Sequence, residues 1–107
     1  MKTRSKYKIV YKNELGEYHR LDGPAIEYTN DDKYWWVNGL RHREDGPAVE
    51  DSHNKCWYVN GLLHREDGPA VEYTNGDKEW WINDILYSEE EFHQEVIKLK
   101  LKRLIEL

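Results

Sequence analysis

The phrase His-Arg-x-Asp-Gly-Pro-Ala-x-Glu occurs three times in this chain of 107 residues, as HRLDGPAIE at His19–Glu27 and as HREDGPAVE at His42–Glu50 and His64–Glu72. The copies start 23 and then 22 residues apart. A fixed period in this range marks an architecture in which one supersecondary unit stacks on copies of itself. Stacking geometry then explains why residue types recur in step, so a repeated residue is read first as a structural joint and only second as chemistry.

Aligned on the phrase, Trp35, Trp57 and Trp80 fall in one column and Trp36, Tyr58 and Trp81 in the next, followed by Val37, Val59 and Ile82 and then Asn38, Asn60 and Asn83. In an extended run neighbouring side chains point to opposite faces, so Trp35 and Val37 share one face and Trp36 lies on the other. The punctuation fits strands. Asn38-Gly39 and Asn60-Gly61 are two-residue hairpin turns, whose central positions both need positive φ. Asp22-Gly23-Pro24, Asp45-Gly46-Pro47 and Asp67-Gly68-Pro69 supply a second turn, with proline at a strand start where its missing donor is harmless. A third, looser turn lies at 29–32, 52–54 and 74–77, and the shortened middle copy loses its residue there.

These signals predict a mainly β, single-domain chain: an elongated antiparallel meander of 22–23-residue units with a C-terminal capping helix. Residues 1–18 form an N-terminal partial repeat, 19–87 three repeats, and 88–107 the helix. The last unit loses its glycine at Asn83-Asp84 and places Tyr87 where His64 stands. Ser88-Glu89-Glu90-Glu91 then reads as a capping box. Phe92, Val96, Leu99, Leu101, Leu104 and Ile105 give a broad apolar stripe, while early acids and the late Lys98, Lys100, Lys102 and Arg103 complement the helix dipole. The alternation in Leu99–Lys102 leaves a strand there as an alternative. The helix is expected to cover an end of the sheet, where an open edge invites aggregation.

Apolar surface in this chain is carried by five Trp and eight Tyr, against one Phe and one Met. Such amphipathic rings suit a shallow, half-wet core. The single cysteine, Cys56, cannot close an internal disulfide, which fits a reducing compartment. No signal-peptide core or membrane-length apolar run is present, so a cytoplasmic location is expected, host cytoplasm if the chain is viral. The formal net charge of -5 divides unevenly: residues 1–12 carry five Lys or Arg and no acid, and 98–107 carry four against Glu106. Residues 13–97 hold 7 basic against 20 acidic groups. An acidic body repels nucleic-acid phosphates and is drawn to a basic protein groove.

The unit Trp57–Glu72, W-Y-V-N-G-L-L-H-R-E-D-G-P-A-V-E, resembles the MORN-related repeats of many bacteriophage and giant-virus proteins. The ending Trp80–Phe92, WWINDILYSEEEF, is similar to the terminal cap of such proteins, and the likeness spans roughly residues 7–93. It implies hairpin units building an elongated, twisted sheet. The chain departs from ordinary MORN units in carrying NG and DGP turns in place of a YxGxxxxGxG-like pattern. Membrane-lipid contact, one role of MORN proteins, conflicts with an acidic body.

His19, His42 and His64 with Asp22, Asp45 and Asp67 are the candidate acid–base or metal groups. At about 4.8 Å per strand, equivalent residues lie roughly 10–14 Å apart, too far to share an ion. One unit supplies at most His42, Glu44 and Asp45 within a turn. No nucleophile–base–orienter set is visible, so no catalytic residues, metal or cofactor are expected. Asp at these turns accepts backbone N–H bonds, and Arg43 or Arg65 stacks on an aromatic or bridges carboxylates.

Stacking platforms for single-stranded nucleic acid need rings interleaved with basic residues, but here the neighbours are Asp31, Asp32, Glu50, Asp51, Asp77 and Glu79. Together with Trp35, Trp36, Trp57, Tyr58, Trp80 and Trp81 these acids are the candidate protein-binding residues, since Trp, Tyr and Arg dominate binding hot spots. The expected function is a non-catalytic protein–protein interaction module, a phage or viral accessory protein inhibiting a host defence nuclease in anti-CRISPR fashion. Its expected partner is a basic nucleic-acid-binding protein or nuclease, with no direct nucleic acid, no membrane, and a second copy of the chain as a further candidate. The alternatives are an antitoxin or immunity-type partner and a small metal-dependent hydrolase built on one HRED turn.

Overall fold

The computed structural model describes residues 6–106, so the first five residues of the N-terminal segment and Leu107 of the helix lie outside the described residues. The chain is mainly β with one C-terminal helix. The strands are β1 (Tyr7–Val10), β2 (Ile26–Tyr28), β3 (Lys33–Tyr34), β4 (Trp36–Val37), β5 (Leu40–Arg41), β6 (Val49–Glu50), β7 (Asn54–Cys56), β8 (Tyr58–Val59), β9 (Leu62–Leu63), β10 (Val71–Tyr73), β11 (Lys78–Ile82) and β12 (Ile85–Tyr87). Helix α1 spans Glu89–Ile105. The molecule measures 59 × 36 × 18 Å, so it is long and thin.

Eight strands form one antiparallel sheet in the order β1-β2-β3-β6-β7-β10-β11-β12. This is not a plain up-and-down path. Between β3 and β6, and again between β7 and β10, the chain leaves the sheet as a two-stranded hairpin, β4–β5 or β8–β9. The departure occurs at a tryptophan whose backbone serves both parts. Trp35 N–H donates to Ala48 C=O at 2.7 Å inside the sheet, while Trp35 C=O accepts from His42 N–H at 3.1 Å in the hairpin. Trp57 repeats this with Ala70 at 2.8 Å and His64 at 3.0 Å.

Two rungs run across the sheet, one apolar and one ionic. Val10, Ile26, Tyr34, Val49, Cys56 and Val71 stand opposite one another in turn, ending at Glu79. One residue along, Glu27, Lys33, Glu50, Lys55, Glu72 and Lys78 alternate in sign at every step. Opposite charges facing across strands add about 0.2–1 kcal/mol each. Their larger effect is on register, because a slip of one residue breaks all of these pairings at once.

The phrase itself supplies most of the core. Ala25, Ile26, Ala48, Val49, Ala70 and Val71 are buried, and the three alanines have no exposed surface at all. A second cluster, Ile82, Phe92 and Val96 with Trp80, Tyr87 and Leu99 packed around it, fastens α1 to β11 and β12. Only Phe92 and Val96 of the helix are buried. Leu101, Leu104 and Ile105, read as part of the broad apolar stripe, are 54%, 66% and 84% exposed, so the stripe is covered only along its first half.

Local chemistry accounts for the joints. Asn38-Gly39 and Asn60-Gly61 both have positive φ at each position, as the hairpin turn demands. Asn83-Asp84 keeps that geometry without glycine, at φ 48° and 66°. The strain at Asp84 is offset by its side chain, which accepts from Leu63 N–H at 2.8 Å. At the helix start, Ser88 Oγ accepts from Glu91 N–H at 3.2 Å, and the Ser88 hydroxyl donates to Glu91 Oε1 at 2.8 Å. The residues 99–102 are helical.

Candidate protein-binding surface

Each copy of the phrase folds its arginine back over its own turn. The Arg43 guanidinium lies 3.9 Å above the Trp35 ring and Arg65 lies 3.9 Å above Trp57, while Arg20 lies 4.3 Å above Tyr11. The same guanidinium donates to Asp45 at 2.9 Å, Pro47 C=O at 3.2 Å and Glu50 at 3.0 Å. Arg65 does likewise with Asp67, Pro69 and Glu72. In the first copy Arg20 reaches Asp22 and Pro24, and Glu27 pairs with Lys8 instead. The Arg43 guanidinium holds the Asp45 carboxyl below its usual range. Arg, Asp, Pro and Glu of the phrase thus close a clamp on an aromatic floor, the planar fork being what lets one group stack and chelate together.

The glycine of the phrase has a reason that turn statistics do not give. Gly23, Gly46 and Gly68 do not have positive φ, but a Cβ on them would lie 2.7–2.8 Å from the arginine guanidinium carbon. The residue is bare because the arginine crosses directly over it.

Histidine joins neighbouring units. Nδ1 of His19, His42 and His64 accepts from the backbone N–H of Asn38, Asn60 and Asn83 at 2.9, 3.0 and 3.1 Å. Two backbone bonds flank each, for example Arg43 N–H to Tyr58 C=O at 3.1 Å and Gly61 N–H to Arg41 C=O at 2.8 Å. Accepting at Nδ1 places the neutral ring's proton on Nε2, which faces Glu44 at 3.6 Å from His42 and Glu66 at 2.9 Å from His64. Among the described residues no three His, Cys, Asp or Glu side chains come together in a metal-binding group, and no helix is long and apolar enough to cross a membrane.

The two aromatic columns turn to different partners, and all six rings are half-buried. Trp35 and Trp57 lie under the clamps, and Trp80 packs on Phe92 at 4.9 Å. Trp36 and Tyr58 instead flank the Arg41 guanidinium at 5.3 and 5.4 Å, and Trp81 donates to Glu79 at 3.0 Å. The indole N–H groups of Trp35 and Trp36 and Arg41 Nε are enclosed without a hydrogen-bond partner. On the apolar rung nearby, burial raises the Tyr34 phenol and pushes the Cys56 thiol up to about 11, a state of low nucleophilicity.

Several candidate acids serve their own loops. Asp51 accepts from His53 and Asn54 N–H at 2.8 Å, Asp77 from the Asn75 amide at 3.1 Å, and Asp32 from Asn30 at 3.2 Å. Glu50 takes Arg43, and Asp31 meets Lys8 at 3.8 Å. The candidate residues therefore do not converge on one spot.

What does converge is a pair of grooves between successive turns, which sequence reasoning did not single out. One, of about 590 Å³, has Trp57 and Val59 as its floor, Arg43–Pro47 as one wall and His64–Asp67 as the other. The second, of about 460 Å³, lies over Val37 between Arg20-Leu21 and His42–Asp45. The signal for them was present in the spacing, since a loop projecting from every unit leaves a trough between loops. No protein family, no curated protein and no solved structure matches the chain.

Proposed function

We propose that the chain is a non-catalytic protein-binding module, a MORN-like array of hairpin units of phage or viral type. On this reading it inhibits a basic host nuclease, in anti-CRISPR fashion, through its acidic and aromatic surface in the host cytoplasm. The observation that carries the proposal is the commitment of the repeated polar side chains. His, Arg and Asp of each phrase are engaged in joints and clamps, which leaves shape and charge as what the surface offers. The three phrase turns present Asp22, Asp45 and Asp67 outward, with side chains 82–88% exposed. Each of these aspartates is paired with its own arginine, so it is the excess of 20 acidic over 7 basic groups in residues 13–97 that favours encounter with a positively charged groove and disfavours nucleic acid.

The test is capture of host proteins on the immobilised chain, followed by identification and titration with salt. A basic nuclease or nucleic-acid-binding protein that elutes as ionic strength rises is the expected result. Recovery of no basic partner, or of one whose retention ignores salt, overturns the proposal.

A further inference from the structure

The groove over Val59, bordered by Trp57 with Arg65 stacked 3.9 Å above its ring, has a filled counterpart in the same molecule. Trp80 and Ile82 occupy the columns of Trp57 and Val59, and Tyr87 that of His64. Over that floor lies α1: Phe92 against Trp80 at 4.9 Å, and Phe92 with Val96 around Ile82, which is 3% exposed. At its far end Arg103 forms a fork to Glu66 of the adjoining turn, with bonds of 2.6 and 2.7 Å. One unit earlier Glu44 holds the position of Glu66, but its side chain is 84% exposed and meets only His42 Nε2 at 3.6 Å.

We propose that the groove over Trp57 and Val59 docks an amphipathic helix of the protein partner, one presenting a Phe–Val–Leu stripe and an arginine eleven residues after the aromatic. The inference rests on the protein-binding reading and names the kind of element bound. Charge selects the occupant. Glu44 lacks the cation that Glu66 has, and a helix seated as α1 is seated would bring an arginine to it. The trough over Val37 fits less well, because Leu21 stands where the acid should be. A second copy fits less well too. Its α1 already fills its own groove, so exchange gains nothing, and the exposed side of α1, Ile97, Leu101 and Leu104, carries no arginine at the matching place.

The experiment uses the full chain and a helix-stabilised, fluorescent peptide with the sequence of residues 88–107 as the probe. Saturable binding is expected, weakened about tenfold or more by Val59→Asp in the protein or by alanine for Phe92 in the peptide alone. Glu44→Gln, at an exposed position that folding tolerates, is expected to weaken it about threefold to tenfold. Absence of saturable binding overturns the proposal, as does binding indifferent to both Val59→Asp and Glu44→Gln, which means the peptide has only displaced α1. A dimer of the chain that Val59→Asp dissociates also overturns it, by making a second copy the occupant. If a basic nuclease is captured equally by wild type and Val59→Asp, the groove inference falls while the binding module stands. If the peptide binds but no basic partner is captured, the nuclease reading falls instead.

Discussion

The last groove of the molecule and the one before it share a floor and differ in what lies on it. Over Trp80 the floor residue Ile82 is sealed, at 3% exposure, by a helix continuous with the chain. Over Trp57 the equivalent Val59 stays half-buried, with arginines closing the clamps on either side. The difference shows that the repeated phrase does not complete its own apolar surface. It builds a thin scaffold whose core is the Ala-Ile or Ala-Val pair of each unit, with Trp35 and Trp57 covered by their own arginines and Trp80, which has no such arginine, by α1.

The largest test of that contrast is Phe92→Ala. Truncating this large side chain, the one that is fully buried among the described residues, should cost about 3–5 kcal/mol in urea unfolding, whereas Val59→Ala on the more open floor should cost about 1 kcal/mol or less. Equal losses would mean that the two grooves are not equivalent surfaces. Gly68→Ala comes next, since loop 64–67 is a wall of the open groove and carries the helix anchor Glu66. Its Cβ would meet the Arg65 guanidinium carbon at 2.8 Å, lifting it from Trp57. A loss of about 1–2 kcal/mol with changed tryptophan emission is expected, and unaltered emission would argue that the clamp is dispensable.

Acid should discriminate the grooves more gently. The bonds from Arg103, and beside them that from His64, hold the Glu66 carboxyl down to about 2 from an ordinary 4.5. A carboxylate with a depressed folded-state value contributes in full above its unfolded value and loses that contribution as pH falls through the folded one. The helix anchor should therefore weaken between pH 4.5 and about 2, and Glu66→Gln should remove that component of an acid titration followed by melting. The exposed setting of Arg103 makes the effect small and salt-sensitive. Smallest of all should be Arg41→Leu. Leu63 and Leu86 hold that column in later units, and relief of the enclosed, unpartnered Arg41 Nε offsets the lost guanidinium contacts with Trp36 and Tyr58, so a change within about 0.5 kcal/mol is expected.

Much of this was legible in the residues. The NG and DGP turns, the β character, the capping box at Ser88 and the helix after it follow from local rules, and local rules are what the structure obeys there. The stacking of arginine on an aromatic was readable as a type of contact. The glycine beneath it was read only as a turn residue, because close approach by a distant side chain leaves no mark in turn preferences. The Asn-Gly hairpins were legible, but their departure from the sheet as β4–β5 and β8–β9 was hidden for a similar reason. A strand that bends out of a sheet at Trp35 looks, residue by residue, like one that continues, as β11 does through Trp80-Trp81. The grooves left only the regular spacing as their sign, because they belong to the space between units, which no residue owns.

Taken as Trp-to-Glu units such as Trp57–Glu72, every clamp closes inside one unit, and every junction repeats the same histidine and two backbone bonds. Length is therefore a variable the molecule can change without redesign. Excising residues 43–64 would join His42 directly to Arg65 and set that guanidinium over Trp35, leaving no orphaned partner at the scar. A lineage carrying this joint can lengthen or shorten its reach by copying or dropping a unit, and each copy added brings one more trough to be filled.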